Sequence, residues 1–343
     1  MTMATRFYNV EPSLENYWRG VILFGLNVAS YKFALGRSLL ELAERKSDFV
    51  SLEELAEPFS RHIVRHVSSG KRQATSKSSR FLDACREYDQ GNLSQEKLIG
   101  KTTQLGFQNV IDAFHVVNGL EIPNRFFEDE RKGRRKGIRL TENLFKLGQH
   151  EHFMNLPMEI EARWNLVETA WDLNIRRRLI SVDHDCELER FFVLDENRRV
   201  DVTSSRDALN GYQKGKCFYC FCPISVRPGS TILAQVDHFI PHILKQHGIE
   251  WNVDGVWNLV LACAECNGMA GKGAKVPTSN LLERLNRRNE YLISSNHPLK
   301  ETIVRQTGAS GSERISFLQQ IHTDARAHLI HFWEPAAKAD PTF

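Results

Sequence analysis

Two C-x-x-C pairs constrain the fold of this chain more than any other feature of its sequence. The first pair is Cys217 and Cys220, and the second is Cys263 and Cys266. Each pair sets two thiolates on one tight turn, so only two chain segments need to meet to enclose a tetrahedral zinc ion. A further thiol, Cys222, is interpreted as a bystander. The spacing predicts a closed, structural zinc site with four cysteine ligands in the C-terminal half.

The distribution of the seven cysteines favours metal over disulfides. Five of them lie between Cys217 and Cys266, whereas Cys85 and Cys186 stand alone and are interpreted as ordinary thiols. The N-terminus lacks the basic-then-apolar pattern of a secretory signal, so we expect a reducing, cytoplasmic location. The most apolar run, residues 20–36, is too short and too polar to span a bilayer, so no membrane contact is expected.

Four polar residues with useful chemistry lie between and beside the cysteine pairs. Asp237 and His238 end an apolar run, and Pro241 then stops the strand. Asn258 begins the apolar run LVLAC, and Asn267 directly follows the last cysteine. Neighbouring residues of a strand point to opposite sides, but at a frayed strand end we expect Asp237 and His238 to reach one phosphate site.

This D-H-x-I-P … N-L-V-L-x-C-x-x-C-N pattern resembles the HNH endonuclease family in its zinc-stapled form, over about Tyr212 to Pro277. The resemblance implies a ββα-metal module, in which two antiparallel strands and a helix hold one divalent ion. It implies that His238 is the general base and that Asp237 and Asn267 ligate Mg²⁺ or Mn²⁺. It also implies that Asn258 orients the histidine loop.

Three further features lie close to the motif. The family has a lysine a few residues past its third motif position, and here GMAG intervenes before Lys272, which we expect still to reach a phosphate. His242 is interpreted as a hydrogen-bonded bystander, since a lone histidine is more often that than a ligand. Residues 183–186 (DHDC) are interpreted as a turn, because consecutive residues cannot easily converge on one ion.

The implied reaction is hydrolysis of DNA phosphodiester bonds. Neutral His238 would activate water for in-line attack, and one ion on Asp237 and Asn267 would stabilise the charge of the transition state. We expect activity to fall below the ordinary histidine pKa of about 6.5. One ion per site implies one strand cut per site, so the chain is expected to be a DNA endonuclease or nickase.

Two other functions stay open at the level of sequence. A catalytically inactive, zinc-stabilised DNA-binding or adaptor protein would carry the same cysteine pairs. A homing or restriction-type enzyme would add its own sequence specificity. The joining of a large region to the module is reminiscent of bacterial anti-phage effector nucleases, with partner defence proteins or self-association providing control.

The chain of 343 residues exceeds the usual size of one compact core, so more than one domain is expected. The predicted class is α+β. Residues 1–202 are predicted to be a mainly helical regulatory or recognition region. Residues 203–295 are predicted to be the HNH module with its zinc site, and residues 296–343 a helical C-terminal tail.

Capping patterns predict two of the N-terminal helices. Ser13 is expected to cap a long helix that runs through Glu44. Ser51 and Glu54 form a capping-box pattern that opens a second helix, and that helix should bend or end near Pro58.

Three more elements are predicted further along the chain. Helical spacing returns over residues 159–179, where Arg176, Arg177 and Arg178 close the helix. The run FFVLDENRRVDV predicts a hairpin that turns at Glu196 and Asn197. A last helix is predicted from about Glu313 to Trp333, with an apolar pattern that packs on the module or a partner.

Basic residues indicate where DNA would lie. Residues 93–147 are predicted to form two helices broken at Gly106 and then a basic β-hairpin with its tip at Gly133 to Lys136, a winged-helix-like layout. This hairpin and a later helix supply the candidate phosphate contacts: Lys132, Arg134, Arg135, Lys136, Arg284, Arg287 and Arg288. The alternatives are a hairpin that merely packs on the first helix and a solvated helix face.

Overall fold

The chain divides into two compact units. A computed structural model describes residues 3–25, 27–45, 47–76, 78–172, 182–195, 198–247, 251–295 and 298–342. The N-terminal unit is Pro12–Asn174, and the C-terminal unit combines Met1–Glu11 with Ile175–Phe343. The division therefore falls near residue 175 and not at 202/203. Residues 296–343 belong to the same unit as the cysteine pairs and do not form a separate tail.

Helices and short antiparallel strands make up the N-terminal unit, which confirms the α+β class. The chain begins with α1 (Met3–Asn9), which belongs to the C-terminal unit. The N-terminal unit then contains α2 (Leu14–Phe24), α3 (Tyr31–Leu42), β1 (Phe49–Ser51), α4 (Leu52–Val67), α5 (Arg80–Asp89), α6 (Gln95–Leu105), α7 (Val110–Ala113), β2 (Val116–Val117), β3 (Leu120–Glu121), β4 (Phe127–Glu130), β5 (Gly137–Leu140), α8 (Glu142–Gly148) and α9 (Leu156–Asp172).

Ser13 caps α2, as predicted, by accepting a hydrogen bond from the Asn16 backbone N–H at 3.2 Å. The predicted long helix through Glu44 is wrong, because α2 ends at Phe24 and α3 begins only at Tyr31. Gly25 leaves the helix in an extended conformation, and the Asn27 amide donates to its carbonyl at 3.1 Å. That local bond competes with helix continuation.

The capping box at the start of α4 is confirmed. The Ser51 backbone N–H donates to the Glu54 carboxylate at 2.8 Å, and the Glu54 N–H donates back to the Ser51 hydroxyl at 3.2 Å. The predicted end near Pro58 is wrong, since α4 runs on to Val67. The apolar face of this helix, including the fully buried Phe59, offsets the hydrogen bond that proline cannot make.

A buried polar network ties α4 to α9 inside the N-terminal unit. His66 contacts Glu168 through Nδ1 at 2.8 Å and Glu161 through Nε2 at 3.1 Å. Gln73 donates to Glu168 at 2.8 Å and accepts from the Trp164 indole at 2.8 Å. The Trp164 ring also stacks on His66 with centroids 3.7 Å apart. These groups are paired with one another, so the network is a structural one.

The predicted basic hairpin is present as β4 and β5, which pair antiparallel, with β1 on the other edge of β5. Before it, α6 is followed by α7, which is one turn long. The second helix of the predicted pair is therefore much shorter than the helix that a winged-helix domain lays in a DNA groove. The winged-helix assignment of residues 93–147 stays a prediction.

The C-terminal unit holds three small sheets and a set of helices. Its elements after α1 are β6 (Val182–Asp185), β7 (Arg190–Asp195), β8 (Arg198–Ser204), α10 (Ser205–Asn210), β9 (Gln235–His238), β10 (Leu259–Ala262), α11 (Ala264–Asn267), β11 (Val276–Pro277), α12 (Ser279–Ser294), α13 (Pro298–Thr307), α14 (Gly311–His328) and β12 (Phe332–Trp333). The sheets are β6-β7-β8, β9-β10 and β11-β12, and only the last is parallel.

Two predictions for this unit reach past the described residues. The predicted hairpin is confirmed as β7 and β8, but its turn at Glu196 and Asn197 lies outside them. The predicted helix end at Arg176 to Arg178 also lies outside the described residues, where α9 is described only to Asp172. Within the described ranges, none of the helices has the length and apolar character needed to cross a membrane.

The last helix is shorter than predicted. α14 ends at His328, and Phe332 and Trp333 instead form a strand beside β11. The Trp333 ring meets the Tyr219 ring edge-on with centroids 5.0 Å apart. Further on, the Lys338 backbone N–H donates to the Cys220 carbonyl at 3.0 Å. The chain end thus packs on the cysteine-bearing segment of its own unit.

Candidate active site and cysteine cluster

The cysteines between positions 217 and 266 form one cluster that can bind a metal such as zinc. The sulfur atoms of Cys217, Cys220, Cys222 and Cys263 all lie within 4.8 Å of one another. The Cys266 thiol interacts with those of Cys217 and Cys220. The hydrogen bonds that the thiols share lower the pKa of Cys220 and raise the pKa values of Cys217, Cys263 and Cys266. A thiolate is the form that zinc binds.

Cys222 belongs to this cluster and is not a bystander. Phe221 adopts a left-handed conformation with φ of 62°, and the chain then turns back so that the Cys222 carbonyl accepts from the Cys217 N–H at 2.8 Å. The turn brings a third thiol of this segment to the ion-binding face. The cluster therefore offers five thiols, one more than a tetrahedral zinc ion would take.

The first cysteine pair is fixed to strand β10. The Phe218 N–H donates to the Leu261 carbonyl at 2.9 Å. The Gln213 side chain bonds both backbone groups of Leu261, donating at 2.9 Å and accepting at 2.8 Å. Because β10 leads directly into Cys263, these bonds bring the two cysteine pairs together.

Strand β9 carries the two central residues of the motif on opposite faces. In the β9-β10 ladder, Asp237 is opposite Val260 and His238 is opposite Leu259. The ladder continues to the last residue of the strand, so the strand end is not frayed as predicted. Successive side chains of a paired strand point to opposite faces. Asp237 and His238 therefore face different surroundings.

Asp237 lies in a closed, buried environment. Its two carboxylate oxygens contact the Tyr219 hydroxyl at 2.5 Å and the Lys272 ammonium at 3.1 Å. Asp237 is 8% exposed and Lys272 is 1% exposed. Burial raises the pKa of Asp237, and the Lys272 charge opposes that shift.

Lys272 is not presented to a phosphate, which corrects the role expected for it. Its backbone N–H donates to the Cys266 carbonyl at 2.8 Å, and its side chain turns inward to Asp237. The residues GMAG between Asn267 and Lys272 make this path possible, because Gly271 packs so close to the Cys266 carbonyl that an added Cβ would lie 2.6 Å from that oxygen. Only glycine fits there without a shift.

Asp237 and Asn267 do not fit an open Mg²⁺ site as they stand. Mg²⁺ takes oxygen ligands together with several waters, whereas both oxygens of Asp237 are engaged and Lys272 already neutralises the carboxylate. The Asn267 amide nitrogen donates to Gln235 at 2.9 Å, so the misfit lies at Asp237, whose two oxygens are already engaged. Helix α11, which carries Asn267, is only one turn long. No catalytic step is therefore derived through an ion at Asp237.

His238 faces the other side of β9, among polar side chains. Its Nε2 lies 3.3 Å from the Asp254 carboxylate and 3.8 Å from the Cys186 sulfur. Its ring centroid is 5.3 Å from that of His242 and 6.2 Å from that of His184. The side chain is 16% exposed. Burial lowers the pKa of His238 to about 4, against the opposing effect of Asp254, so the imidazole is neutral near pH 7.

Asn258 fixes the loop that follows His238. Its side-chain oxygen accepts from the Ile240 N–H at 2.7 Å, and its amide donates to the Ile240 and Val253 carbonyls at 2.9 and 2.7 Å. Its own carbonyl accepts from the Phe239 N–H at 2.8 Å. Asn258 is fully buried. It holds the histidine loop through the backbone and does not reach a substrate.

Sequence reasoning missed three residues beside His238. His184 and Cys186, interpreted as parts of a turn, reach His238 from β6 and the turn after it. Alternate residues at a strand end share a face, so the H-x-C spacing was the usable signal. Asp254 lies 16 positions past His238 in a segment with no motif, and only the fold brings it to the imidazole.

Two arginines of α12, Arg284 and Arg288, donate hydrogen bonds to backbone carbonyls of their own unit. Arg288 is fully buried and donates to the Leu259 carbonyl at 2.5 Å, so it has no route to a phosphate. Arg284 donates to the Phe218 and Tyr219 carbonyls at 2.7 Å each, and it packs over the Phe221 ring at 4.0 Å. The predicted DNA contact at Arg288 is therefore corrected, because this buried side chain bonds to the backbone at β10. Arg284 is half-buried, and its contact with DNA stays a prediction. Arg287 is partly exposed.

The basic hairpin tip of the N-terminal unit is exposed. Lys132, Arg134, Arg135 and Lys136 all lie at the surface between β4 and β5. The Arg135 guanidinium lies over the Phe49 ring, 3.9 Å from its centroid. These cations are accessible to a phosphate backbone, and their contact with DNA stays a proposal.

No family model, no curated protein and no solved structure matches this chain. The assignment of a function therefore rests on the residues and their geometry.

Proposed function

We propose that the C-terminal unit is a DNA endonuclease or nickase of the HNH type, with His238 as its general base. One observation carries the proposal. His238 ends a paired strand, the loop after it is held by four hydrogen bonds to Asn258, and its partly exposed imidazole lies against the Asp254 carboxylate. A base must be held in place and unprotonated at working pH. Both conditions are met.

In the proposed reaction, neutral His238 takes a proton from a water molecule that attacks the scissile phosphorus. Asp254, 3.3 Å from Nε2, orients the ring and stabilises the imidazolium that forms. Asn258 keeps the backbone of the loop fixed while the charge changes.

The cysteine cluster supports the proposal by fixing the frame of this site. It joins the segment after Gln213 to the end of β10, and β10 is the partner strand of β9. We propose zinc as its structural ion. Mg²⁺ or Mn²⁺ is the ion that the HNH resemblance implies for the reaction, and Asp237 in its pair with Lys272 does not hold it. A role as a bacterial anti-phage effector is a wider proposal that rests on the architecture alone.

A second candidate function is a catalytically inactive, zinc-stabilised DNA-binding or adaptor protein. The observation that favours it is the buried ion pair of Asp237 with Lys272, which places an ammonium where the HNH resemblance implies an ion. This candidate predicts DNA binding that survives His238→Ala, with no cleavage by the parent protein.

Cleavage of supercoiled plasmid by the purified full chain separates the two. The parent is assayed with Mg²⁺ or Mn²⁺ and with EDTA, beside His238→Ala and the control His331→Ala, which changes an exposed histidine. The proposal expects nicked or linear plasmid from the parent and the control, and a loss of roughly 100-fold or more in His238→Ala. Silence of the folded parent that carries one zinc ion per chain, together with retained DNA binding, would favour the adaptor.

A further inference from the structure

Five metal-ligating side chains come together on the His238 face of β9, apart from the cysteine cluster. β6 and the turn after it contribute His184 and Cys186, and the loop after β9 contributes His242 and Asp254. The Cys186 sulfur lies 3.8 Å from His184 Nδ1, His238 Nε2 and Asp254 Oδ1 alike.

The spacing of these donors matches that of ligands around one ion. The Asp254 Oδ1 atom lies 3.3 Å from His238 Nε2 and 3.3 Å from His242 Nε2. Zinc bonds of about 2.0–2.1 Å to nitrogen and 2.3 Å to sulfur, at tetrahedral angles, separate neighbouring donor atoms by roughly 3.3–3.8 Å. Cys186, His238 and Asp254 form a triangle with sides of 3.3, 3.8 and 3.8 Å. Ordinary close packing does not require three donor atoms to converge in this way.

The donors are also incompletely satisfied by protein partners. His184 faces the Cys186 sulfur through Nδ1, and its other nitrogen, the buried Nε2, has no hydrogen-bond partner among the described residues that would fix the ring's tautomer. Cys186 makes only long contacts of 3.8 Å, and its thiol is exposed. Asp254 is the acceptor shared by the two imidazoles and by the Lys245 ammonium. A cation would use lone pairs that the protein leaves open.

Hydrogen bonds within the chain fix the backbone on both sides of this arrangement. The Asp185 carboxylate accepts from the Glu187 and Leu188 N–H groups at 2.9 and 2.8 Å and pairs with Arg199, so the turn that carries Cys186 is fixed. Asn258 fixes the backbone on the other side, between Ile240 and Val253. The two sides are thus set before binding, which lowers the entropic cost of assembling the ligands.

The donor types select the ion. Imidazole nitrogen and thiolate sulfur favour zinc and its late first-row neighbours, and a carboxylate is compatible with them. Mg²⁺ prefers an all-oxygen environment and would leave the sulfur and nitrogen donors unused. Binding would release the Cys186 thiol proton to solvent, and no oxidation or reduction is required.

We propose that a zinc-class transition-metal ion binds Cys186, His238 and Asp254, with His184 and His242 as flanking ligands, and that this ion switches the nuclease site off. The reason is chemical: a metal on Nε2 of His238 takes that lone pair and leaves the ring proton on Nδ1, so neither nitrogen can accept a proton from water. The binding site stands on its geometry alone. The inhibitory effect rests on the proposed function, in which His238 is the base.

Zinc content of the purified full chain tests the binding site independently of cleavage. The parent should bind two zinc ions per chain, one in each cluster, and Cys186→Ser should bind one. His242→Ala is a second variant at an exposed position, where loss of fold is not expected, and it should weaken the second ion at least tenfold. Cys85→Ala and His331→Ala are the matched controls, and both should keep two ions. Circular dichroism checks that every variant is folded.

Cobalt substitution adds a spectroscopic test. A second Co²⁺ ion bound through Cys186 should add sulfur-to-metal absorption in the parent, and this increment should be missing from Cys186→Ser. One zinc ion per parent chain, or the same zinc content and cobalt spectrum in the parent and Cys186→Ser, would overturn the site. Either result decides the binding proposal whether or not the protein cuts DNA.

The inhibitory effect is tested by titrating zinc into the plasmid assay with Mg²⁺ or Mn²⁺ present. Each variant is compared with its own rate at one zinc equivalent per chain, which fills the cysteine cluster. The second equivalent of zinc should lower the parent rate at least tenfold, and Cys186→Ser should need at least tenfold more zinc for the same loss. Activation by the second equivalent would overturn the inhibitory role while leaving the site. Absence of cleavage under every condition would overturn the proposed function, and the zinc content would still decide the site.

Discussion

The two faces of strand β9 show how differently one pair of neighbouring residues can be used. Asp237 is buried, and each of its carboxylate oxygens has a protein partner. His238, the next residue, is partly exposed and shares its surroundings with four other potential ligands, of which the nearest is Asp254 at 3.3 Å. Closed pairing is typical of a group that holds the fold, whereas unused donors beside an accessible imidazole are typical of a site that binds something.

The charged groups on the two faces of β9 also differ. The Asp237 carboxylate is neutralised by Lys272, so this pair carries no net charge that could attract a cation. The other face carries Asp254 and an exposed thiol, with Lys245 as the cation paired to Asp254. We therefore place the reactive chemistry on the His238 face and a structural role on the Asp237 face.

Loss of the cysteine cluster, which holds the strands that carry both faces, should have the largest effect on folding. Cys263→Ser, or removal of zinc by a strong chelator, should unfold the C-terminal unit, since structural zinc sites contribute on the order of 10 kcal/mol to folding. Zinc content and near-ultraviolet circular dichroism measure the loss. Cys85→Ala, in the N-terminal unit, is the control and should keep both signals. A C-terminal unit that stays folded without zinc would show that the cluster is not part of the frame.

Replacing Lys272 tests the buried ion pair on the Asp237 face. Lys272→Met leaves the buried Asp237 carboxylate unpaired and should lower the free energy of unfolding by about 3–5 kcal/mol at neutral pH. Adding Asp237→Asn should restore most of that loss. The control is Lys146→Met, which removes an exposed pair with Glu142 and should cost less than about 1 kcal/mol. Thermal and urea unfolding measure all four proteins.

The same variants sharpen the question of an ion at Asp237. If the face is closed as described, added Mg²⁺ should not raise the melting temperature of the parent by way of Asp237. A rise that Asp237→Asn abolishes would contradict the structural role of this residue and return it to ion binding.

The position of His238 depends on the hydrogen bonds of Asn258 to the loop that follows it. Asn258→Ala removes three side-chain hydrogen bonds to Ile240 and Val253, and we expect a loss of about 2–3 kcal/mol at roughly 1 kcal/mol per bond. Cleavage should fall with it, because the loop after His238 loses its fixed position. Asn252→Ala, at an exposed position, is the control. Unchanged cleavage in a destabilised Asn258→Ala protein would show that the loop needs no clamp.

The smallest expected effect is the pH dependence of stability due to His66 in the N-terminal unit, a histidine that is paired with carboxylates and can be compared with His238. Burial lowers the pKa of His66, but hydrogen bonds with Glu161 and Glu168 outweigh it and leave the pKa raised. A raised pKa in the folded state means that the stabilisation is fully present below the unfolded histidine value and is lost as pH rises through the folded pKa. The melting temperature of the N-terminal unit should therefore fall as pH rises above neutrality.

His66→Gln should remove that dependence, and His150→Gln, at an exposed position, should leave it in place. A melting temperature that rises with pH over this range in the parent, or a fall that His66→Gln does not alter, would contradict the assignment. Either result would mean that His66, although paired with two carboxylates, contributes no more to the pH dependence of the melting temperature than the exposed His150.

The local elements with strong chemical signals could be predicted from the sequence. The Ser51 to Glu54 capping box, the hairpin with its basic tip and the gathering of the cysteines each depend on residues a few positions apart or on one metal geometry. Their free energies are local, so composition and spacing carry the information.

The surroundings of His238 could not be predicted in the same way. Cys186 lies 52 positions before His238 and Asp254 lies 16 positions after it, and the packing of β6 and the loop after β9 brings them together. The inward path of Lys272 depends on the close approach of Gly271 to a backbone carbonyl. The helix break after Phe24 depends on one hydrogen bond, which the Asn27 side-chain amide donates to the Gly25 carbonyl. These are tertiary or single-bond effects that periodicity does not register.

The most direct test of the assignment of the two faces is the single-turnover rate of plasmid nicking by two folded variants. His238→Ala removes the proposed base, and the double variant Asp237→Asn with Lys272→Met removes the buried ion pair without leaving a charge. We predict a loss of roughly 100-fold or more in His238→Ala and less than tenfold in the double variant. Equal losses in both would contradict the structural role of Asp237, and an undiminished rate in His238→Ala would contradict the general base.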